Sequence, residues 1–160
     1  MTLCAHNREC IFGVVWDGEM VLKEYGKWVE YTWHDLPNHN SDIALDTFII
    51  MPNHIHGIII IHDATVGAGS EPAPTTKPRG LFEIVRQFKT FSSKRINEIR
   101  RTHGTPVWQR NYYEHIVRGE AELNKIREYI ASNPSQWGKD KENPENTAPF
   151  QPSFSPASAL

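Results

Sequence analysis

Two short apolar runs, Thr47–Ile50 and Ile58–Ile61, flank the heptapeptide Met51-Pro-Asn-His-Ile-His-Gly57. β-Branched and aromatic runs interrupted by Pro-Asn predict two strands, Leu45–Met51 and His56–Ile61, joined through Pro52-Asn53. Any fold for this chain has to be built around that hairpin. It also carries chemistry. Successive side chains of an extended segment alternate faces, so His54 and His56 offer two imidazoles to one side of the sheet. Two imidazoles on one side are half of a metal site. The bland alternative is a pair of histidines on a polar sheet face.

The rest of the chain supplies a frame for the hairpin. Met1–Ala5 reads as a stub of strand. Asp17-Gly18 between Val14–Trp16 and Glu19–Leu22 is a two-residue hairpin signal. Tyr25, Trp28, Val29, Thr32, Trp33 and Leu36 follow helical spacing over Lys23–Leu36, with Pro37-Asn38 as the stop. Residues 63–79 are rich in Gly, Ala, Pro, Ser and Thr and read as a loop. Leu81, Ile84, Val85, Phe88, Ile96 and Ile99 mark the buried side of a helix from Gly80 to Arg101. Asn111–Val117 reads as a further strand and Glu120–Ser132 as a helix stopped by Pro134. Strand-helix-strand repeated around a central hairpin is a ferredoxin-like βαββαβ arrangement of the α+β class, with helices packed on one face of an antiparallel sheet and a last, C-terminal helix. The domain is expected to span residues 1–137, followed by a disordered, Pro-rich polar tail at 138–160.

A length of 160 residues suits one domain with a real core. No apolar run approaches the roughly 20 residues needed to span a bilayer. The N-terminus lacks a signal peptide's apolar stretch, and Cys4 and Cys10 do not form a disulfide framework, so the expected location is cytoplasmic. The net charge of −2 is unevenly spread. Residues 1–76 hold 3 basic and 10 acidic side chains, whereas residues 77–118 hold 10 basic and 3 acidic. A segregated basic segment is what a phosphate chain meets locally, although a solvated helix face has the same composition. From this segment Lys89, Lys94, Arg95, Arg100, Arg101, Arg110 and Arg118, together with His115, are candidate DNA contacts. Such contacts position a strand without reading it.

In the last helix Tyr129 and Asn133 lie four apart, hence on one face. Were that face to look at His54 and His56, the site would gain a phenol and an amide oxygen. Imidazole nitrogens with an amide oxygen suit Mg2+ or Mn2+, and a phenol beside such an ion can attack phosphorus. The adjacent Tyr112 and Tyr113 are rival nucleophiles, and on a strand one of them at most would face the metal.

Three stretches carry a family resemblance: Met51-Pro-Asn-His-Ile-His-Gly57, Val107-Trp-Gln-Arg-Asn-Tyr-Tyr-Glu-His-Ile-Val-Arg118 and Ile126-Arg-Glu-Tyr-Ile-Ala-Ser-Asn-Pro134. His6-Asn-Arg-Glu-Cys-Ile-Phe-Gly13 fits more weakly. The chain resembles the single-tyrosine HUH transposases, closest to the REP-associated tyrosine transposase group, over roughly residues 3 to 137. The resemblance implies that His54 and His56 bind a divalent metal, with Asn133 where relatives often have Gln as third ligand. It implies that Tyr129 attacks single-stranded, hairpin-forming DNA to give a 5′-phosphotyrosine and a free 3′-OH, which later rejoins strands. Relatives include monomers and homodimers, and they usually carry extra residues before the first strand. Two other readings compete: a metal-dependent phosphodiesterase that uses water, and a domesticated, non-catalytic nucleic-acid-binding protein.

Overall fold

The computed structural model describes residues 1–62 and 80–147. The loop expected at 63–79 and the tail beyond 147 lie outside the described residues. In chain order come β1 (Thr2–Cys4), β2 (Gly13–Trp16), β3 (Glu19–Leu22), α1 (Glu24–His39), β4 (Ile43–Ile50), β5 (His54–Ile61), α2 (Leu81–Ile99), α3 (Glu120–Ser132) and α4 (Pro144–Thr147). A 3-10 segment, Pro134–Lys139, links α3 to the last stretch.

The main sheet is antiparallel in the order β1-β5-β4, with Thr2 opposite His56, Leu3 opposite Ile55 and Cys4 opposite His54. The segment after α2 lies on the open side of β1 through bridges Thr2–Tyr113 and Ala5–Trp108. This is the strand order of a ferredoxin-like sheet. The expected strand Asn111–Val117 does not form as a regular element and keeps only the bridge at Tyr113, and the stretch leading into it is held off the ladder. The carbonyls of Gln109, Arg110 and Asn111 are turned to the Lys89 ammonium at 2.8, 3.1 and 3.4 Å. They are thereby withdrawn from the ladder, and Tyr113 alone exchanges both backbone bonds with Thr2, at 2.8 and 3.0 Å.

Residues facing each other across the ladder share a face, so Leu3, Ile55, Gly57 and Phe48 point one way and Thr2, Cys4, His54 and His56 the other. The first face carries the main core. Trp33 of α1 stacks on Phe48 with centroids 4.3 Å apart and meets Phe88 of α2 edge-on at 5.9 Å. Gly57 is required here, because a Cβ on it would lie 2.4 Å from the Trp33 ring. The other face carries α3 and the 3-10 segment. A bulge between Leu45 and Phe48 swings Asp46 towards α3, where Arg127 grips its carboxylate through Nε at 3.0 Å and Nη2 at 2.6 Å.

Helix α1 runs through Pro37 to His39 instead of ending before it. A proline in the last turn sacrifices one N–H. The Asn40 side chain then caps the helix end by donating to the Leu36 carbonyl at 2.9 Å. The β2–β3 turn is as read: Asp17 and Gly18 both have positive φ, 51° and 76°, the geometry that Asp-Gly favours. The tail is the larger correction. Residues 138–147 are built into the domain, with Asn53 donating to the Glu142 carbonyl at 2.7 Å and Arg8 pairing with the Glu142 carboxylate at 3.1 Å.

Candidate metal and nucleophile site

His54 is fully buried and His56 is 8% exposed. Their Nε2 atoms face each other at 3.1 Å. What holds them is a directed chain of hydrogen bonds. Asn53 donates its Nδ2 protons to the carbonyls of Arg8 (3.0 Å) and Glu142 (2.7 Å), which fixes its Oδ1 as the acceptor towards His54. His54 therefore donates from Nδ1 to Asn53 at 2.9 Å and keeps a lone pair on Nε2. Thr2 Oγ1 lies 2.8 Å from His56 Nδ1 and closes the other end.

Burial lowers the His54 pKa to about 4. Burial, reinforced by the neighbouring His54, lowers that of His56 to about 3. Both rings are neutral at pH 7, the form that ligates metals. The Asp140 carboxylate comes within 3.7 Å of His54 Nε2, and with a neutral ring that approach is not an ion pair.

The pair fits a divalent cation. Ligand atoms held about 2.1 Å from an ion and roughly at right angles stand roughly 3 Å apart, as the two Nε2 atoms do. To ligate a cation through Nε2, His56 would carry its proton on Nδ1 and the Thr2 hydroxyl would accept it, a role a hydroxyl fills equally well. Among the described residues no three His, Cys, Asp or Glu side chains close into a complete ligand set.

Tyr129 stands beside the histidines, its ring centroid 5.3 Å from that of His56, and is 54% exposed. It sits at the meeting of two clefts. The larger, about 500 Å3, is bordered by Thr2, Cys4, His56, Tyr112, Tyr113 and Asp140 as well as Tyr129. The other is bordered by Tyr129, Asn133, Lys139, Asp140 and Lys141. Tyr112 and Tyr113 both reach the first cleft, because the irregular segment releases them from strict alternation. The Cys4 thiol in the same cleft is pushed up to about 11, chiefly by burial and also by Glu142, and stays protonated at pH 7.

Asn133 is buried at the junction of α3 and the 3-10 segment. It borders the second cleft with Tyr129, whereas the hydrogen-bonding partners of the imidazoles are Asn53, Thr2 and each other. None of the basic candidates lines either cleft. Helix α2 packs its buried face on the core side of the sheet, opposite the histidines. Lys89 is taken up by the 109–111 carbonyls. Arg100 is committed to Asn97, Thr105 and Pro106. Arg95 pairs with Glu98 at 3.4 Å and lies over Trp28, while Lys94 and Arg101 are exposed. His115 holds Glu122 at 2.7 Å, and the same carboxylate caps the Arg118 N–H at the start of α3, so this pair organises a helix end. Arg110 and the Arg118 side chain are exposed.

The cations bordering the clefts are Lys139 and Lys141, and the nearest carboxylate is Asp140; all three fall in the polar stretch that composition assigns to a tail. Asn53 was also missed as more than a turn residue. Its signal was its position immediately before His54.

No protein-family model matches the chain. The fold resembles a solved structure of a REP-associated tyrosine transposase bound to a REP hairpin, with a TM-score of 0.60 over 88% of this chain and 67% of that one. At 14% identity that likeness establishes the fold. An uncharacterized protein of Haemophilus influenzae is 38% identical over 152 residues, spanning 88% of this chain and 82% of the relative. With that identity over more than four fifths of both sequences, the chain belongs to the family of the Haemophilus influenzae protein.

Proposed function

We propose that the protein is a metal-dependent single-stranded DNA nicking and strand-joining enzyme with Tyr129 as its nucleophile. The observation that carries this reading is the placement of an exposed phenol with its ring 5.3 Å from that of His56, a buried, neutral histidine paired with a second. The transposase-like fold, and the DNA hairpin bound to the solved neighbour, support it.

His54 and His56 would hold a Mg2+ or Mn2+ ion. Such an ion, when bound, polarises a phosphate oxygen and offsets developing charge. Asn53 and Thr2 keep the two rings oriented, and burial keeps them neutral. Tyr129 loses its proton to water at the open cleft mouth, and its oxygen forms a bond to phosphorus as the bond to the 3′ oxygen breaks. The departing oxygen takes a proton and leaves as a 3′-OH, while the 5′ side stays linked to Tyr129. Attack by a 3′-OH reverses the exchange and rejoins strands with no external energy source. Lys139 and Lys141 flank the second cleft and suit the phosphates of a strand passing Tyr129.

The test is a labelled single-stranded hairpin DNA incubated with protein and Mn2+ or Mg2+, then run on a denaturing gel. A covalent adduct that disappears in Y129F, H54A and H56A is the expected result. An adduct that survives Y129F and is lost in Y112F or Y113F overturns the nucleophile. Cleavage with no adduct points to water as the attacking group, and binding alone to a non-catalytic role.

A further inference from the structure

Resting on the metal reading above, we propose that Asp140 supplies the third protein ligand to the ion, in the place where the family pattern puts Asn133. Several observations converge on it. The Asp140 side chain is only 8% exposed, and its Oδ2 lies 3.7 Å from His54 Nε2. Carboxylates buried this far have partners that neutralise or bind them. Here the facing atom is the lone-pair nitrogen of a ring whose donor is already given to Asn53. Without a cation that nitrogen accepts from His56 Nε2 at 3.1 Å; a cation taking the place of that proton would meet both imidazole nitrogens and the carboxylate oxygen.

The carboxylate is also preorganised. Its Oδ1 accepts the Glu142 N–H at 2.7 Å, the Asp140 N–H donates to Trp137 at 3.1 Å, and its carbonyl accepts from Asn146 at 2.8 Å. Oδ2 is left for the histidines. Ligands of one ion stand about 3.0–3.4 Å apart at octahedral to tetrahedral angles, whereas Oδ2 stands 3.7 Å from His54 Nε2, so the three side chains do not close on an ion as they stand and would do so only after Asp140 rotates towards the histidines. Asp140 borders both clefts at Tyr129, whereas Asn133 borders only the one without His56. A charged oxygen is also the stronger donor for Mg2+ or Mn2+ than a neutral amide.

The test reads metal binding directly, without turnover. Mn2+ affinity is measured by electron paramagnetic resonance on the full chain and on D140N, N133A and H56A, each checked for folding by circular dichroism. D140N retains an oxygen for the Glu142 N–H, so the fold should survive. We expect D140N to bind Mn2+ at least about 10-fold more weakly, since loss of even an outer partner costs roughly 10–100-fold, with N133A close to the unaltered chain. A second measurement places the ligand by spectroscopy. With Cys4 removed by C4S, Co2+ added to D140C should give a near-ultraviolet thiolate-to-cobalt charge-transfer band, and Co2+ added to N133C should not. The reverse pattern, or D140N binding as tightly as the unaltered chain, overturns the assignment to Asp140 and leaves the histidine site standing. A folded chain that binds no Mn2+ overturns both.

Discussion

Asn53 ties three distant segments together, and removing its side chain tests how the site is held. The residue is fully buried. Its amide donates to the carbonyls of Arg8 and Glu142 at 3.0 and 2.7 Å and accepts from His54 at 2.9 Å. N53A deletes all three. A net hydrogen bond contributes about 0.5–1.5 kcal/mol, and an orphaned buried partner costs about 1–3 kcal/mol. The two carbonyls sit in part-buried surroundings where water can reach, so the expected loss lies at the sum of the net bonds, about 2–4 kcal/mol. N53D is the sharper probe. It keeps the acceptor for His54 but sets an oxygen against two carbonyl oxygens. Burial and those dipoles raise the folded pKa of the new carboxyl. Its penalty is therefore full above that pKa and is relieved as pH falls towards the unfolded value of about 3.9. At pH 7 N53D should be less stable than N53A despite being nearly isosteric with Asn, and the difference should shrink by pH 4. Urea unfolding followed by tryptophan fluorescence measures both, and limited proteolysis reports release of residues 134–147. An N53A variant within ~0.5 kcal/mol of the unaltered chain, or an N53D variant as stable as it at pH 7, refutes the reasoning.

Other expectations follow from single contacts. G57A places a methyl 2.4 Å from the Trp33 ring and should cost about 1–3 kcal/mol by overpacking, read as a lowered urea midpoint. T2V removes the hydroxyl beside His56 Nδ1 and should weaken Mn2+ binding roughly 10–100-fold with little change in thermal midpoint; unchanged affinity would show the hydroxyl to be irrelevant. Arg127, first through its hydrogen bonds, holds the Asp46 carboxyl well below the usual carboxylate range. That stabilisation is complete above an unfolded pKa of about 3.9 and is lost as pH falls below it. D46N should therefore be less stable than the unaltered chain at pH 7, with the gap narrowing at pH 3 in urea titrations.

The sequence was most legible where local chemistry and global fold agree. The Asp17-Gly18 turn, the hairpin around Met51–Gly57 and the limits of α3 could be read from turn residues and apolar periodicity alone. So could the meeting of His54, His56 and Tyr129, because alternation on a strand and the family pattern both pointed there. What was less legible shares one cause: a polar side chain used inside the fold looks like one used at the surface. Lys89, a candidate phosphate contact by composition, gives its ammonium to the carbonyls of Gln109, Arg110 and Asn111. The His115 ring holds Glu122 at a helix start, where the same carboxylate caps the Arg118 backbone N–H and leaves the Arg118 side chain exposed. Asp140, Glu142 and Asn143 have the composition of a solvated tail, yet Glu142 bonds to Asn53 and Arg8, far away in sequence, and Asp140 and Asn143 fold the stretch around it through local hydrogen bonds, which no local pattern announces.

The sheet, one strand layer thick, stands between the histidine cleft and the basic helix α2. Helices pack roughly 10 Å from a sheet, so a strand filling the cleft does not reach Lys94 or Arg101 without turning the sheet's edge. For a nucleic-acid ligand, length then becomes a physical variable of the protein. A short oligonucleotide would meet only the cleft, with Lys139 and Lys141. A longer one could lap round to α2 and release more counterions, steepening the salt dependence of binding while leaving events at Tyr129 untouched.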